Sequence, residues 1–453
     1  MHLYNLFTII DLRVVDEKEN VKENRFMSED LRKYFNNIVG YEKTKAELIP
    51  LAIALREDTK RKELGIKTPK GLLFDGEPGV GKTTIAKDLM NASGRFAVEF
   101  RKDYSRDKFI EALKNTFELA RENQPSVILL DDMDKFSNSD EDLCDTEEYV
   151  AVQSCIDSIK DDDVFVIATA NGIKCFPKSL LRAGRFDRRI SIDVPSPSEA
   201  AIIIKSYLDK VKHENDIDEE TIAKLMVGRS CAAIETIINE AGINAIARNL
   251  DKVNMKCIVD ACLTVFFHSP EGSDYLTNKD AKIFAIHESG HAVAQELLVP
   301  NSVAMVSTRI NSGSTQGITV FDNGWISYCD DYHKKIIMCV LAGRAAVEIK
   351  YGIIDPGSSA DIEKAIEVAG NAIEGWCCNG IIKSNDGIIS ISSDLRYQQD
   401  IELNVLLNQC YMDVKKLLVN CFSMVENVAS ELFEKKTLLG NDIRRIISTD
   451  GLH

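Results

Sequence analysis

The 453-residue chain lacks a basic surplus, a long apolar run, a paired-cysteine pattern, an internal repeat and any low-complexity tract. Each absence excludes something. Lys and Arg number 55 against 71 Asp and Glu, a net charge of −16. Nucleic acid is therefore not an expected partner, because its backbone calls for a basic footprint. The apolar stretch near the N-terminus, LYNLFTII (Leu3 to Ile10), has eight residues, whereas a membrane-spanning helix needs about 20. It also lacks the basic start and small-residue cleavage site of a signal peptide. No other segment approaches a span, so a soluble chain is expected. The 12 cysteines form no CxxC pair, and Cys377 and Cys378 are adjacent, a poor start for two separate bridges. A reduced, cytoplasmic compartment is the corresponding expectation.

Apolar residues make up 45% and charged residues 28%, a globular composition with ample core. At roughly 150 residues per domain, the length suggests about three domains. Residues 1–27 read as a charged, weakly patterned N-terminal extension with at most one short strand. Over residues 28–197, short β-rich runs alternate with helix-length stretches. The runs are GLLFDG (Gly71–Gly76), RFAVEF (Arg95–Phe100), SVILLDD (Ser126–Asp132), VFVIATAN (Val164–Asn171) and RISIDVP (Arg189–Pro195). Their near-continuous apolar character predicts strands buried on both faces, as in a parallel sheet wrapped by helices. Residues 198–265 read as helices only, and 266–275 (FFHSPEGSDY) as a linker punctuated by Pro, Gly and Ser. Residues 276–453 read as long helices with one β-rich patch, Val303–Phe321. The acidic stretch Ser137–Glu148 reads as a solvated loop.

GEPGVGKT (Gly76, Glu77, Pro78, Gly79, Val80, Gly81, Lys82, Thr83) lies between a predicted strand and a predicted helix. That is the context in which a Gly-x4-Gly-Lys-Thr loop cradles phosphates with its backbone N–H groups. Lys82 would reach the β- and γ-phosphates of ATP, and the Thr83 hydroxyl would ligate Mg²⁺. In SVILLDDMD, Asp131 ends a buried strand, where it can hold Mg²⁺ through water; Asp132 is placed to polarise the attacking water. The expected nucleotide-contacting set is completed by Val39 and Thr84.

VFVIATAN and LLRAGRFDRR narrow the class, because they resemble the second region of homology of the AAA ATPases. That resemblance makes Asn171 the polar sensor near the γ-phosphate. It makes Arg185 and Arg188 arginine fingers that enter a neighbouring subunit's site, which implies a ring. A plain surface basic cluster is the alternative, since Arg182 and Arg189 are close by.

HESGH (His287, Glu288, His291) lies in the apolar-periodic stretch AKIFAIHESGHAVAQELL. A spacing of four puts both imidazoles on one face of a helix, one turn apart, suited to a single Zn²⁺. Glu288 beside them is the base for the attacking water. Catalytic zinc needs a third protein ligand and an open fourth position.

A phosphate loop followed by this helix in one chain resembles the FtsH family of ATP-dependent zinc metalloproteases. The resemblance runs from about Phe35 to the C-terminus through KTPKGLLFDGEPGVGKT, LLRAGRFDRR, IHESGHAVA, AGRAAVEI and SSADIEKA. It implies an α/β AAA domain with a helical lid, followed by a mainly α-helical zinc-metalloprotease domain. It also implies a homo-hexamer acting on protein substrates, with Zn²⁺ and Mg²⁺–ATP as cofactors. The family's third ligand falls on Asp361, which by position alone could equally be a carboxylate favoured at a helix N-terminus. Three departures stand out. No counterpart of the family's membrane-anchored N-terminal region is found. Asp132 stands where a Glu is usual, one methylene shorter. The aromatic–hydrophobic–Gly pore loop is not recognisable in EFRKDYSRDKF, where Tyr104 is the nearest candidate to grip substrate and Phe100 reads as core. Two further readings follow from these departures: a non-proteolytic AAA remodeller, and a metallopeptidase of unfolded chains only weakly coupled to ATP.

Overall fold

The computed structural model describes residues 31–67, 69–102, 106–136, 147–172, 176–269, 277–309, 317–321, 331–375 and 393–450. The N-terminal extension 1–27, Tyr104, most of the acidic stretch and most of the expected linker lie outside the described residues. The chain divides into two compact units. One comprises the chain up to Ser206 with Gly228–Thr236; the other comprises Tyr207–Val227 and the chain from Ile237 on.

The first unit contains α1 (Glu42–Arg56), α2 (Asp58–Glu63), β1 (Gly71–Asp75), α3 (Lys82–Ser93), β2 (Phe96–Phe100), α4 (Arg106–Glu122), β3 (Ser126–Leu130), α5 (Glu147–Ser158), β4 (Val164–Ala170) and β5 (Arg188–Ser191). The strands form one parallel sheet in the order β2-β3-β4-β1-β5. Every residue of β1, β3 and β4 is buried, as their near-continuous apolar runs predict. The edge strands depart from the expected double burial: Phe96 is 43% exposed, and Arg188 and Arg189 face outward. An edge strand has a neighbour on one side only, so its run need not be continuous. Phe100, at the inner end of β2, is core as expected, stacked edge-on with Phe109 and Phe136. Because β2 lies at the far edge and the chain returns through β3 and β4 to β1, the carboxyl ends of β1, β3 and β4 flank a crevice of the kind where ligands bind in such sheets.

Next come α6 (Pro197–Leu208), α7 (Glu219–Leu225), α8 (Cys231–Ala247) and α9 (Met255–Phe267), which make 198–265 helical as expected. The last of these runs on through Phe266 and Phe267, which the sequence assigned to the linker. From there on the second unit contains α10 (Asn278–Leu298), β6 (Val303–Ser307), β7 (Ile318–Phe321), α11 (Tyr332–Tyr351), α12 (Ser359–Gly370), α13 (Ser393–Asn420), α14 (Phe422–Lys435), β8 (Thr437–Leu439) and α15 (Gly440–Asp450). An antiparallel sheet in the order β7-β6-β8 contains the expected β-rich patch and adds β8, which is only three residues long.

Helix α10 opens at Thr277, whose side chain caps Asp280, and is buried without a break from Ala285 to Glu296. Burial on all sides fits a helix that is apolar around much of its circumference. It meets α11 through small residues. A Cβ at Gly290 would lie 2.6 Å from the Ala346 Cβ and 2.7 Å from the Ala342 carbonyl oxygen, so only glycine admits this approach. Among the described residues, no helix is long and apolar enough to cross a membrane.

Candidate functional sites

Glycines set the phosphate loop between β1 and α3. Gly76, Gly79 and Gly81 all have positive φ, and a Cβ at Gly76 would fall 2.0 Å from the Ile192 carbonyl oxygen. Gly81 ends the loop and leads directly into α3, placing Lys82 and Thr83 in its first turn. The buried Lys82 ammonium donates to the Gly76 and Glu77 carbonyls (2.8 and 2.7 Å) and to Asn171 Oδ1 (2.9 Å). Burial lowers its pKa, against the pull of nearby aspartates. Thr83 Oγ1 donates to Asp131 Oδ1 at 2.7 Å. A hydroxyl and a carboxylate offer the hard oxygen donors that Mg²⁺ takes.

The structure therefore brings together Lys82, Thr83, Asp131 and Asn171 from three strand ends. It also adds Asp134, which the sequence reading missed. Asp134 accepts from both the backbone N–H and the Nδ2 of Asn171, each at 3.0 Å, and so turns the amide oxygen towards Lys82. Of the remaining expected contacts, Val80 is buried, Val39 is half-buried in the turn before α1, and Glu77, Pro78, Gly79 and Thr84 are exposed.

Asp132 has φ 55°, a left-handed conformation that Asp tolerates better than most residues, and its Oδ2 pairs with Lys135 at 2.8 Å. Arg185 is tied within the chain: it makes a two-pronged pair with Asp157 of α5 (2.9 and 2.8 Å) and donates to the Ser179 carbonyl. Arg188 is exposed at the start of β5, where its backbone pairs with Leu72 of β1. Arg189 is engaged with Asp75.

In the second unit, α10 carries His287, Glu288 and His291 into a cavity of about 280 Å³, and the first turn of α12 brings Asp361 to the same point. His287 Nε2 and His291 Nε2 are 3.0 Å apart, and Asp361 Oδ2 is 3.1 and 3.3 Å from them. Three ligands about 2.1 Å from one tetrahedral ion would lie about 3.4 Å apart, close to these separations.

The far ring nitrogens fix the tautomers. His291 Nδ1 lies 2.8 Å from the Cys339 carbonyl oxygen, which can only accept, so Nδ1 carries the proton. His287 Nδ1 lies 2.7 Å from Asp355 Oδ2, with the same consequence. Both Nε2 atoms of the neutral rings are then acceptors, facing a carboxylate oxygen that is buried and makes no well-formed hydrogen bond. Three acceptors with no donor between them fit a cation. Burial pushes the His287 imidazole down, but the carboxylates of Asp355 and Asp361 outweigh this and raise its pKa, so in the absence of a metal cation a proton takes that place and a metal ion would have to displace it. Burial would raise the Asp361 carboxyl, yet the two imidazoles hold it well below the usual carboxylate range.

Glu288 Oε2 accepts from the Thr319 hydroxyl of β7 at 2.5 Å. Gly317, just before β7, leaves room for this carboxylate: a Cβ there would meet Glu288 Oε1 at 2.1 Å. Gly343 of α11 does the same for the imidazoles, since its Cβ would sit 2.4 Å from His291 Nε2. Asp355, the Cys339 carbonyl, Thr319 and the two glycines are thus site-builders that the sequence reading missed. The AGRAAVEI segment, which contains Gly343, was the only signal that pointed to one of them.

The parallel sheet with its phosphate loop and the three-ligand helix pair define an AAA ATPase joined to a metallopeptidase. Family comparisons agree. Residues 72–194 match the ATPase family associated with various cellular activities, 216–260 the AAA+ lid domain, and 274–446 peptidase family M41. The chain is 29% identical over 449 residues to the ATP-dependent zinc metalloprotease FtsH of Helicobacter felis, covering 91% of this chain and 70% of that protein. It is 28% identical to the protein of that name from Opitutus terrae, with the same coverage, and 25% identical to the ATP-dependent zinc metalloprotease FtsH 2 of Phytoplasma mali, covering 99% of this chain and 68% of that protein. The chain thus carries an AAA ATPase domain, an AAA lid and an M41 peptidase domain, and over 91% of its length it is similar to FtsH proteins.

Proposed function

We propose that the chain assembles into a hexameric ring that hydrolyses ATP to feed polypeptides to a zinc proteolytic site. The convergence of His287, His291 and Asp361 on one point is the observation that carries this reading. These three side chains would hold the ion. Zinc held there would supply a Lewis acid for the scissile carbonyl and for the attacking water. Glu288 takes the proton from that water and passes it to the leaving amine, with Thr319 fixing its second oxygen. Asp355 and the Cys339 carbonyl hold the imidazoles in the ligating tautomer.

At the nucleotide site, Lys82 would exchange its loop carbonyls for the β- and γ-phosphates. Thr83 and Asp131 would serve Mg²⁺, Asn171 would read the γ-phosphate and Asp132 would orient water. The exposed Arg188 supports a ring in which it reaches a neighbour's nucleotide, with Arg185 beside it. The described cysteines are free thiols, which supports a reducing, cytoplasmic compartment. A second reading, a peptidase only weakly coupled to ATP, is favoured by one observation: the short Asp132 side chain is already paired with Lys135.

Glu288→Gln tests the proteolytic assignment. The amide keeps the shape but cannot accept the proton, so zinc content stays near wild type while peptide cleavage is lost. Cleavage near the wild-type rate would assign the base elsewhere.

A further inference from the structure

Asp131 is fully buried at the end of β3, and its two oxygens are used differently. Oδ1 accepts from the hydroxyls of Thr83 and Thr169, each at 2.7 Å, which fills its lone pairs. Oδ2 faces Arg101, the residue after β2. The Arg101 Nε donates to it at 2.7 Å and Nη2 reaches it as well. Arg101 also has a second acceptor within reach: Glu99 Oε1 lies 3.3 Å from its Nε, and Glu99 in turn pairs with Lys87 at 3.0 Å. The arginine is 48% exposed and its buried partner is not. One guanidinium therefore stands between a buried carboxylate and a surface one.

We propose that Arg101 is an internal counter-cation that Mg²⁺ must displace from Asp131, with Glu99 receiving the released guanidinium. This rests on the reading of Asp131 as the magnesium-side carboxylate. The physical basis is competition. A hydrated Mg²⁺ and a guanidinium cannot both draw closely on one carboxylate oxygen without repelling each other. Without Mg²⁺, Arg101 neutralises Asp131 and lets a nucleotide's phosphates approach. With Mg²⁺, the same pair must first be broken. Arg101 thus strengthens magnesium-free nucleotide binding and raises the Mg²⁺ concentration needed for the metal-bound state.

The test is binding of a fluorescent, non-hydrolysable ATP analogue to the full chain across a Mg²⁺ titration, with EDTA as the zero point. Arg101→Ala should lower the half-saturating Mg²⁺ concentration by about 5-fold, the scale of a charge-assisted pair discounted for exposure, and should weaken binding in EDTA. Glu99→Gln, a surface change that leaves Asp131 alone, should move half-saturation the other way. In an Asp131→Asn background, Arg101→Ala should have no effect. If Asp131→Asn shifts the magnesium dependence but Arg101→Ala overlays wild type, the competition is refuted and the magnesium site stands. If Asp131→Asn itself leaves the magnesium dependence unchanged, the assignment of Asp131 falls and the competition falls with it.

Discussion

At the scale of single residues, neither imidazole of the HESGH pair can turn without breaking a hydrogen bond at its far nitrogen. The ligand pair was legible in the sequence because both histidines and Glu288 sit within one turn of one helix. Their supports were not. Asp355 lies 68 positions from His287, Cys339 lies 48 from His291, and Thr319 lies 31 from Glu288. Only the fold brings those distances to hydrogen-bond range, and an isolated aspartate or threonine carries no spacing signal. Asp355→Asn should weaken zinc affinity by about 10- to 100-fold, the usual cost of losing a carboxylate behind a ligating histidine. Competition with a chromophoric chelator reads this directly, and unchanged affinity would reduce Asp355 to a turn residue. At the nucleotide site, Asp132→Asn should nearly abolish ATP turnover while leaving ATP binding intact. Asp132→Glu should raise turnover by restoring reach, but lower stability by roughly 1 kcal/mol, because the longer side chain must adopt a left-handed backbone. Steady-state turnover and thermal melts of the two variants separate these effects, and wild-type turnover in the Asn variant would remove the catalytic role.

At the scale of elements, α10 and α11 are held together by glycine and alanine at the points where larger residues would push them apart. Gly290 and Gly343 do different work there. A Cβ at Gly290 meets α11 itself, whereas a Cβ at Gly343 meets both ligand imidazoles. Gly290→Ala should cost about 1–3 kcal/mol of stability as overpacking, without a specific effect on metal. Gly343→Ala should lose zinc out of proportion to any drop in Tm. Zinc analysis beside melting curves checks the pair, and equal zinc in both variants would contradict the division. The strands show where sequence patterning succeeds and stops. Near-continuous apolar runs located β1, β3 and β4, since a strand covered on both faces has no polar alternation to lose. The same logic over-buried the edge strands β2 and β5, because position in a sheet is not written in a run's composition. It also missed β8, whose Thr437–Leu439 is too short to show a period.

At the scale of the whole molecule, one chain carries an ATPase sheet, a helical segment and a zinc helix in that order, an order read from two motifs and the composition between them. What the sequence could not convey is the state of its arginines. Arg185 is held by Asp157, so it must leave that pair to serve a neighbouring subunit, whereas Arg188 is exposed already. Mixing Arg188→Ala chains with Lys82→Ala chains, each inactive alone, should restore part of the ATP turnover through mixed interfaces. Arginine fingers contribute about 10³–10⁵ in rate in other NTPases, so even a minor share of intact interfaces is measurable. No restoration at any mixing ratio would place the arginine's action within its own chain. The measurement that bears most directly on coupling between the two sites compares a short peptide with a stably folded protein as substrates, each with and without ATP, for wild type and Lys82→Ala. The account predicts that both chains cut the peptide whether or not ATP is present, and that only wild type with ATP degrades the folded protein. Degradation of the folded protein by Lys82→Ala, or by wild type without ATP, at the same rate as by wild type with ATP would contradict it.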